Sequence, residues 1–178
     1  MIKLLILDVD GVLTDGKKTY DKNGFCQYKL FNDKDWTAIK LFKCHGLKLC
    51  FLTGDDFNIN ISKNRNIDCF VNKENNIVKD KLTYLDFLIN NYNVSVEEVA
   101  YIGDDYFDYN LLSALKYAFV PEDAPNELKL KFHVLPYKGG ENLIMRFYDY
   151  CIENKLISNL NIENKLKLLY EYDQSEKY

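Results

Sequence analysis

The first residues of the chain constrain its fold more than any others. An apolar run over residues 2–7 leads directly into Asp8, Asp10 and Gly11. Such a run without alternation is typical of a strand buried on both faces, as in a parallel sheet. Two carboxylates at its end repel each other. Holding them close together is therefore unfavourable unless a cation or a reaction requires both. Open α/β sheets place their active sites at this edge, so these residues predict an enzyme that uses a metal ion.

The rest of the chain repeats the order of a strand followed by a helix. Further buried strands are predicted at residues 47–52, 69–71, 99–102, 118–120 and 133–135. Helices are predicted from a cap at Asp35 to a stop at Gly46, and over residues 56–64, 80–90 and 141–154. This alternation predicts an α/β fold with a doubly wound parallel sheet and right-handed crossovers.

A small hairpin interrupts this pattern after the first strand. Two short extended segments flank residues 21–24, and Asn23-Gly24 is a preferred hairpin turn. The stretch over residues 56–80 is too short for a folded insert. We therefore expect a small β-hairpin flap and no separate cap domain.

The length of the chain sets its domain organisation. With 178 residues it can form one domain of ordinary size. Residues 1–153 hold the whole strand and helix pattern, and we assign them to one catalytic domain. From residue 154 to 178 the composition shifts toward Asn, Lys, Leu and Tyr, which predicts a helical or partner-docked tail.

Composition and charge exclude several classes of partner. The net charge of −4 argues against a nucleic-acid partner, which needs a basic face. No apolar run has the length of a membrane span, and Lys3 and Asp8 argue against a secretory signal. The five cysteines have no paired spacing, so reduced thiols are expected and zinc is not. We expect a cytoplasmic protein without a membrane partner.

Polar residues follow three of the predicted strands, and one lysine opens a helix near the same edge. These residues are Asp8, Asp10, Thr53, Gly54, Lys81, Asp104, Asp105 and Asp108. Carboxylates gathered in one pocket need a hard cation, and Mg²⁺ with substrate phosphate is the common solution. A hydroxyl, backbone amides and an ammonium suit phosphate oxygens. A free carboxylate can attack phosphorus to give an aspartyl-phosphate, so the set predicts phosphoryl transfer.

Some of these residues have simpler interpretations. Thr53 could only end a strand, and Asp108 could only cap the helix that follows it. Lys73 and Lys79 compete with Lys81 as the lysine of the site.

Four segments of the chain resemble, in order, the four motifs of the haloacid dehalogenase superfamily. They are Asp8-Val9-Asp10-Gly11-Val12-Leu13-Thr14-Asp15-Gly16, Leu52-Thr53-Gly54, Lys79-Asp80-Lys81-Leu82 and Tyr101-Ile102-Gly103-Asp104-Asp105. More narrowly, Lys29-Leu30-Phe31-Asn32 and Gly139-Gly140 resemble the capless branch with the 3-deoxy-D-manno-octulosonate 8-phosphate phosphatases. The nonulosonate 9-phosphate phosphatases and the phosphatase-like domain of acylneuraminate cytidylyltransferases are similar too. The resemblance covers about residues 1–153.

The resemblance implies a role for each residue of the set. Asp8 is then the nucleophile, and Asp10 is the general acid and base. Asp8, Asp104 and the backbone carbonyl of Asp10 bind Mg²⁺. The phosphoryl group is held by Thr53, Gly54 and Lys81. Asp105 and Asp108 orient Lys81 or the waters on the metal.

The same resemblance implies a homotetramer that acts on a phosphorylated sugar acid. Neighbouring hairpins and chain ends would close the open pocket, with Trp36 and Phe25 at the interface. The substrate stays open between the eight- and nine-carbon sugar acids, because Asp55 stands where the octulosonate phosphatases carry arginine. Candidate cations for the substrate carboxylate are Lys34, Lys63, Arg65, Lys138 and Arg146. Alternatives are a broad sugar-phosphate phosphatase or a non-catalytic oligomerisation domain, which would have no need of the catalytic set.

Overall fold

The computed structural model describes residues 1–75 and 77–175. Within these residues the strands are β1 (Leu4–Leu7), β2 (Thr19–Tyr20), β3 (Cys26–Tyr28), β4 (Lys48–Thr53), β5 (Asp68–Val71), β6 (Lys73–Glu74), β7 (Ile77–Val78), β8 (Val99–Ile102), β9 (Tyr117–Pro121) and β10 (His133–Leu135). The helices are α1 (Asp33–Cys44), α2 (Asn58–Asn64), α3 (Leu85–Tyr92), α4 (Tyr109–Ala114), α5 (Asn126–Lys129), α6 (Leu143–Glu153) and α7 (Ile162–Ser175). Short 3₁₀ turns span Lys81–Tyr84, Val96–Glu98 and Tyr106–Asp108.

Six strands form a central parallel sheet in the order β10-β9-β8-β1-β4-β5. Strand β1 lies inside it and pairs with β4 and β8, so that Leu7 is in register with Phe51 and Ile102. All four residues of β1 are buried. The predicted doubly wound parallel sheet is confirmed, because an unbroken apolar run is what a strand covered on both faces requires.

Apolar side chains cover both faces of the sheet. Since neighbouring residues of a strand point to opposite faces, Leu5 and Leu7 pack on one side and Leu4 and Ile6 on the other. Helices α1 and α6 cover the first face, and α3 and α4 cover the second. This double covering leaves the ends of the strands as the place for polar chemistry.

Two small antiparallel ribbons lie outside the central sheet. The predicted hairpin is β2–β3, with Gly24 at a φ of +83° in its turn and Asp21 Oδ1 accepting from the amides of Asn23 and Phe25. Strands β6 and β7 form a second ribbon with two residues in each strand. Strands this short show no alternation of apolar and polar residues from which they could be predicted. The part of the chain that the structure describes contains no further cap.

Helix α1 begins earlier than predicted. Its cap is Asn32, whose side chain accepts from the amide of Lys34 at 3.0 Å. Asp35 lies inside the helix, and its Oδ1 accepts from the amides of Ile144 and Met145 at 2.9 and 3.1 Å. The prediction of Asp35 as the cap of α1 was wrong because it caps the start of α6, a distant helix. Burial raises the pKa of Asp35 to about 6, although both amides oppose that rise.

The last helix, α7, packs against α1. Asp173 forms an ion pair with Lys40, and the Lys43 ammonium donates to the Tyr172 hydroxyl at 2.8 Å. Leu169 packs against the apolar cluster that covers the first face of the sheet. In residues 1–75 and 77–175, no helix combines the length and apolar character that crossing a bilayer requires.

Candidate active site

A cavity of about 410 Å³ opens at the carboxyl edge of the sheet, where β1, β4 and β8 end. All eight predicted site residues line it: Asp8, Asp10, Thr53, Gly54, Lys81, Asp104, Asp105 and Asp108. They are far apart in sequence and meet because parallel strands present their carboxyl ends at one edge. The cavity is therefore the candidate active site.

The Lys81 ammonium lies between two carboxylates. Its Nζ is 2.9 Å from Asp8 Oδ2 and 2.6 Å from Asp108 Oδ1, and it donates to the Tyr101 hydroxyl at 3.1 Å. The lysine is only 3% exposed. Burial lowers the pKa of Lys81, but the charges of Asp8 and Asp108 outweigh it, so the net pKa is raised. Lys81 thus stays charged beside Asp8.

Three carboxylates, those of Asp8, Asp104 and Asp108, converge at the floor of the cavity. One oxygen of each lies within 4.8 Å of the others. Desolvation raises the pKa of Asp8 to about 7, partly against the charge of Lys81. Desolvation and the charge of Asp8 raise the pKa of Asp104 to about 9. Three carboxylates thus bring more negative charge to the cavity floor than the Lys81 ammonium alone can neutralise.

The donor set fits a hard divalent cation. Asp104 Oδ1 is buried and receives no hydrogen bond from any residue that the structure describes. Each oxygen of Asp108 already accepts two hydrogen bonds, whereas each oxygen of Asp8 has one partner and Asp104 keeps Oδ1 for a ligand. Carboxylate oxygens are the ligands that Mg²⁺ prefers, so Asp8 and Asp104 are the side chains that could hold it.

The structure contradicts the simpler interpretation of Asp108 as a cap of the helix that follows it, because the Asp108 side chain makes no capping hydrogen bond to α4. Its Oδ2 accepts from the amides of Asp104 and Asp105 at 2.9 and 3.0 Å, which caps the turn after β8. Its Oδ1 accepts from Lys81 and from the Tyr101 hydroxyl, both at 2.6 Å. Asp105, by contrast, is exposed and accepts from the amide of Tyr106. Lys81 is therefore contacted by Asp108, and Asp105 shapes the turn.

Gly11 allows Asp104 to approach the loop after β1. It has a φ of +87°, and a Cβ on it would lie 2.0 Å from Asp104 Oδ2. Any side chain here would expel that carboxylate or move the loop. The position therefore requires glycine.

Gly139 and Gly140, which come much later in the sequence, support the same loop. A Cβ on Gly139 would lie 1.9 Å from the carbonyl oxygen of Gly11, and the Gly140 amide donates to the Val12 carbonyl at 3.0 Å. The last helix was predicted to begin at residue 141, directly after this glycine pair. The pair instead packs against the loop after β1, and α6 begins at Leu143.

Thr53 is buried at the end of β4 with its hydroxyl directed by Asn58. Thr53 Oγ1 accepts from Asn58 Nδ2 at 2.9 Å and from the Asp55 amide at 3.2 Å. Since the oxygen already accepts twice, its hydrogen is available to donate to a ligand in the cavity. Asn58 was not predicted, because nothing in the sequence distinguishes it from any other polar residue of a helix.

Two lysines that the sequence did not assign to the site surround Asp10. Lys29 Nζ is 2.8 Å from Asp10 Oδ1, and Lys18 Nζ is 3.4 Å from Asp10 Oδ2. Both lysines also pair with Asp55, at 2.9 and 2.7 Å. The signal available for Lys29 was its place in the Lys29-Leu30-Phe31-Asn32 run, whose role the sequence does not show.

The competing lysines differ in position. Lys79 pairs with Glu74 at 3.4 Å with its side chain 47% exposed, whereas Lys73 lines the cavity from β6. The five candidates for the substrate carboxylate, Lys34, Lys63, Arg65, Lys138 and Arg146, are not among the described residues lining the cavity. Arg65 stacks over Trp36 at 4.8 Å. Trp36 is 6% exposed and packs on Phe31, so its assignment to an interface was wrong for this structure.

The comparisons with known proteins agree with this geometry. A model of the haloacid dehalogenase-like hydrolases matches residues 53–135. The 3-deoxy-D-manno-octulosonate 8-phosphate phosphatase of Haemophilus influenzae is 33% identical over 153 residues, which are 85% of this chain and 83% of the relative. Its Yersinia pestis counterpart is 30% identical over 160 residues, covering 85% of this chain and 80% of the relative.

Solved structures give the same result. The cobalt-bound form of the deoxy-D-mannose-octulosonate 8-phosphate phosphatase from Haemophilus influenzae is similar with a TM-score of 0.76 and 31% identity, covering 85% of this chain and 88% of that one. A probable YrbI family phosphatase from Pseudomonas syringae has a TM-score of 0.81 and 28% identity, covering 94% of this chain and 93% of that one.

The chain belongs to the haloacid dehalogenase-like hydrolases, and it is a phosphoric monoester hydrolase. The family predicted from its four motifs is thereby confirmed. Within the family it falls in the capless branch that contains the octulosonate phosphatases.

Proposed function

We propose that this protein is a Mg²⁺-dependent phosphatase that hydrolyses 3-deoxy-D-manno-octulosonate 8-phosphate. The names of its relatives in Haemophilus influenzae and Yersinia pestis support the substrate, and the cobalt in one of them supports a divalent cation. The observation that carries the proposal is the position of Asp8 on the cavity floor, between the Lys81 ammonium and the Asp104 carboxylate.

The first chemical step takes place at Asp8. Its carboxylate attacks phosphorus, and the bond from phosphorus to the sugar oxygen breaks as the aspartyl-phosphate forms. Lys81 and the Thr53 hydroxyl donate to the phosphoryl oxygens. Asp10 gives its proton to the departing sugar oxygen.

The second step returns the enzyme to its starting state. Asp10 takes a proton from a water molecule that attacks the aspartyl-phosphate, which releases inorganic phosphate and the free Asp8 carboxylate. Asp8, Asp104 and the backbone carbonyl of Asp10 would hold Mg²⁺. When bound, it would offset the negative charge that collects between the carboxylates and the phosphoryl group.

We also propose that the molecule is a homotetramer of the cytoplasm. Four large apolar residues on or next to the β2–β3 hairpin are exposed: Tyr20, Phe25, Tyr28 and Leu30, with exposed fractions of 61%, 68%, 70% and 78%. An apolar patch of this kind on a hairpin beside an open cavity supports coverage by neighbouring subunits. The five free thiols of the protein are compatible with a reducing compartment, which supports the cytoplasm as its location.

A hydrolysis assay tests the catalytic proposal. With p-nitrophenyl phosphate, we expect turnover that needs Mg²⁺, stops with a chelator and returns when the ion is restored. Asp8→Asn should lower kcat by at least about a thousandfold, because the amide cannot form the covalent intermediate. Asp86→Asn, at an exposed position of α3, is the matched control and should keep full turnover. Retained activity in Asp8→Asn would contradict the mechanism.

A substrate panel tests the sugar. We expect kcat/KM for the octulosonate 8-phosphate to exceed that for glucose 6-phosphate by at least about a hundredfold, because a sugar acid offers extra groups for binding. A nonulosonate 9-phosphate is the second candidate, favoured by Asp55 lining the cavity where octulosonate phosphatases carry arginine. A preference for the nine-carbon acid would replace the first candidate, and equal values for all three would indicate a broad sugar-phosphate phosphatase.

A further inference from the structure

Lys29 directly follows the flap hairpin, yet its side chain is buried near the cavity. The side chain is 0% exposed. Its Nζ lies 2.8 Å from Asp10 Oδ1, 2.9 Å from Asp55 Oδ2 and 2.9 Å from Asn58 Oδ1. The ammonium also lies 5.1 Å from the centre of the Phe57 ring.

The position of Lys29 directly after β3 explains how a residue next to the hairpin reaches the site. Neighbouring side chains of an extended segment alternate in direction. Tyr28 and Leu30 are 70% and 78% exposed, whereas Lys29 between them is buried. The hairpin thus directs two apolar residues outward and one charged residue toward Asp10.

The burial of Lys29 has a large energetic consequence. An ammonium removed from water is unfavourable unless it is paired and hydrogen-bonded. Asp10 and Asp55 supply two negative charges, and the Asn58 oxygen accepts the remaining hydrogen bond. The three N–H donors of the Lys29 ammonium are thus all used by these three partners. Because the ammonium is fixed in this way, it also fixes the position of the Asp10 carboxylate.

The same contact determines the orientation of Asn58. Since Asn58 Oδ1 accepts from Lys29, its Nδ2 must face Thr53 Oγ1, at 2.9 Å. Lys29 therefore reaches two groups of the proposed reaction, one directly and one through an amide.

We propose that Lys29 is the positioning residue of the general acid: it holds the Asp10 carboxylate at the cavity for proton transfer to the leaving oxygen. This inference rests on the proposed function. It assigns a catalytic purpose to the flap hairpin, which carries a residue of the site in addition to its exposed apolar surface. Lys18 is partly exposed and lies on the solvent side of the same carboxylates. It pairs more closely with Asp55 than with Asp10.

The leaving group separates positioning from a purely structural role. p-Nitrophenolate departs without a proton, whereas the alkoxide of a sugar needs one. We therefore compare release of the leaving group in the first turnover from p-nitrophenyl phosphate and from 3-deoxy-D-manno-octulosonate 8-phosphate. Lys29→Met should slow release from the sugar acid phosphate by about 10- to 100-fold more than release from p-nitrophenyl phosphate.

Three further variants complete the experiment. Lys29→Arg keeps the charge and should recover part of the rate with the sugar acid phosphate. Lys22→Met removes an exposed lysine from the turn of the same hairpin and should leave both rates unchanged. In an Asp10→Asn background, Lys29→Met should have no additional selective effect, because the group it positions can no longer donate a proton.

Equal slowing of both substrates by Lys29→Met, or no slowing, would overturn the inference. Lys29→Gln is measured alongside it, and it replaces Lys29→Met in the comparison if that variant shows no cooperative thermal unfolding. Absence of phosphatase activity in the unmodified protein would contradict the proposed function itself. The two failures are therefore distinguishable.

Discussion

At the scale of single residues, Asp108 links the fold to the site. One oxygen of its carboxylate accepts hydrogen bonds from two backbone amides. The other oxygen accepts hydrogen bonds from Lys81 and Tyr101. A buried carboxylate with four donors is strongly constrained. The loop after β8 and the lysine of the site therefore share one anchor.

Replacing Asp108 by asparagine tests this double role. The uncharged amide cannot pair with Lys81, which keeps only Asp8 as a counter-charge. We expect the free energy of unfolding to fall by about 3 kcal/mol and kcat to fall as well. Urea unfolding measures the first and p-nitrophenyl phosphate turnover the second, with Asp86→Asn as the reference. Unchanged values of both would show that Asp108 carries neither role.

The approach of Asp104 to Gly11 gives a second prediction at this scale. Gly11→Ala places a methyl group 2.0 Å from Asp104 Oδ2 and strains a φ of +87°. Gly46→Ala shares the strain, at a φ of +78°, with no atom within 4 Å of the added Cβ.

The two alanine variants separate strain from the clash. Both should lose about 1–2 kcal/mol of stability from strain. Only Gly11→Ala should also lose activity, by at least about tenfold, because its clash moves a proposed metal ligand. Thermal unfolding and p-nitrophenyl phosphate turnover check this comparison. Equal activities of the two variants would contradict it.

At the scale of elements, the Asp35 cap ties α1 to the start of α6. The carboxylate accepts from the amides of Ile144 and Met145, although it lies in the first turn of a different helix. Burial raises the pKa of Asp35 from 3.8 to about 6. The folded state therefore holds a proton on this group more tightly than the unfolded state does.

The sign of the resulting pH dependence follows from that raised pKa. The stabilisation from protonated Asp35 is fully present below about pH 4 and is lost as the pH rises through about 6. In Asp35→Asn this contribution is absent. Between about pH 4 and 7, the free energy of unfolding of the unmodified protein should therefore fall by about 1–3 kcal/mol relative to the variant. Urea unfolding at several pH values measures it, and parallel curves would contradict it.

Elements with long apolar runs could be predicted from the sequence, and short ones could not. The strand over Val99–Ile102 has the predicted bounds because its burial on both faces leaves a clear pattern. The β6–β7 ribbon has two residues a side and leaves none. The start of α1 was misplaced because Asn32 and Asp35 both resemble caps, and only the fold shows which helix each serves.

The same limit applies to the candidate site. Residues next to strand ends, such as Asp8 and Asp104, could be placed together because the topology of a parallel sheet brings those ends to one edge. Lys29 reaches the site from the segment after β3, and Asn58 reaches it from the first turn of α2. Their contribution depends on side-chain directions that no spacing in the sequence specifies.

At the scale of the whole molecule, the exposed hairpin surface predicts assembly. If the proposed homotetramer buries Phe25 and Tyr28, their joint replacement by serine should yield smaller species and lower turnover of the sugar acid phosphate. Analytical ultracentrifugation measures the mass. Phe87→Ser, at a residue of α3 that is 52% exposed, is the control and should keep the tetramer. A monomeric unmodified protein with full activity would refute the assembly.

The support that Gly139 and Gly140 give to the loop after β1 also governs when activity can arise during synthesis. Asp8 and Asp10 leave the ribosome well before Gly139 and Gly140, against which their loop packs. Asp35 likewise waits for the amides of α6. A nascent chain would therefore lack activity until the start of α6 has emerged, so unfinished chains would not consume the cell's phosphorylated metabolites.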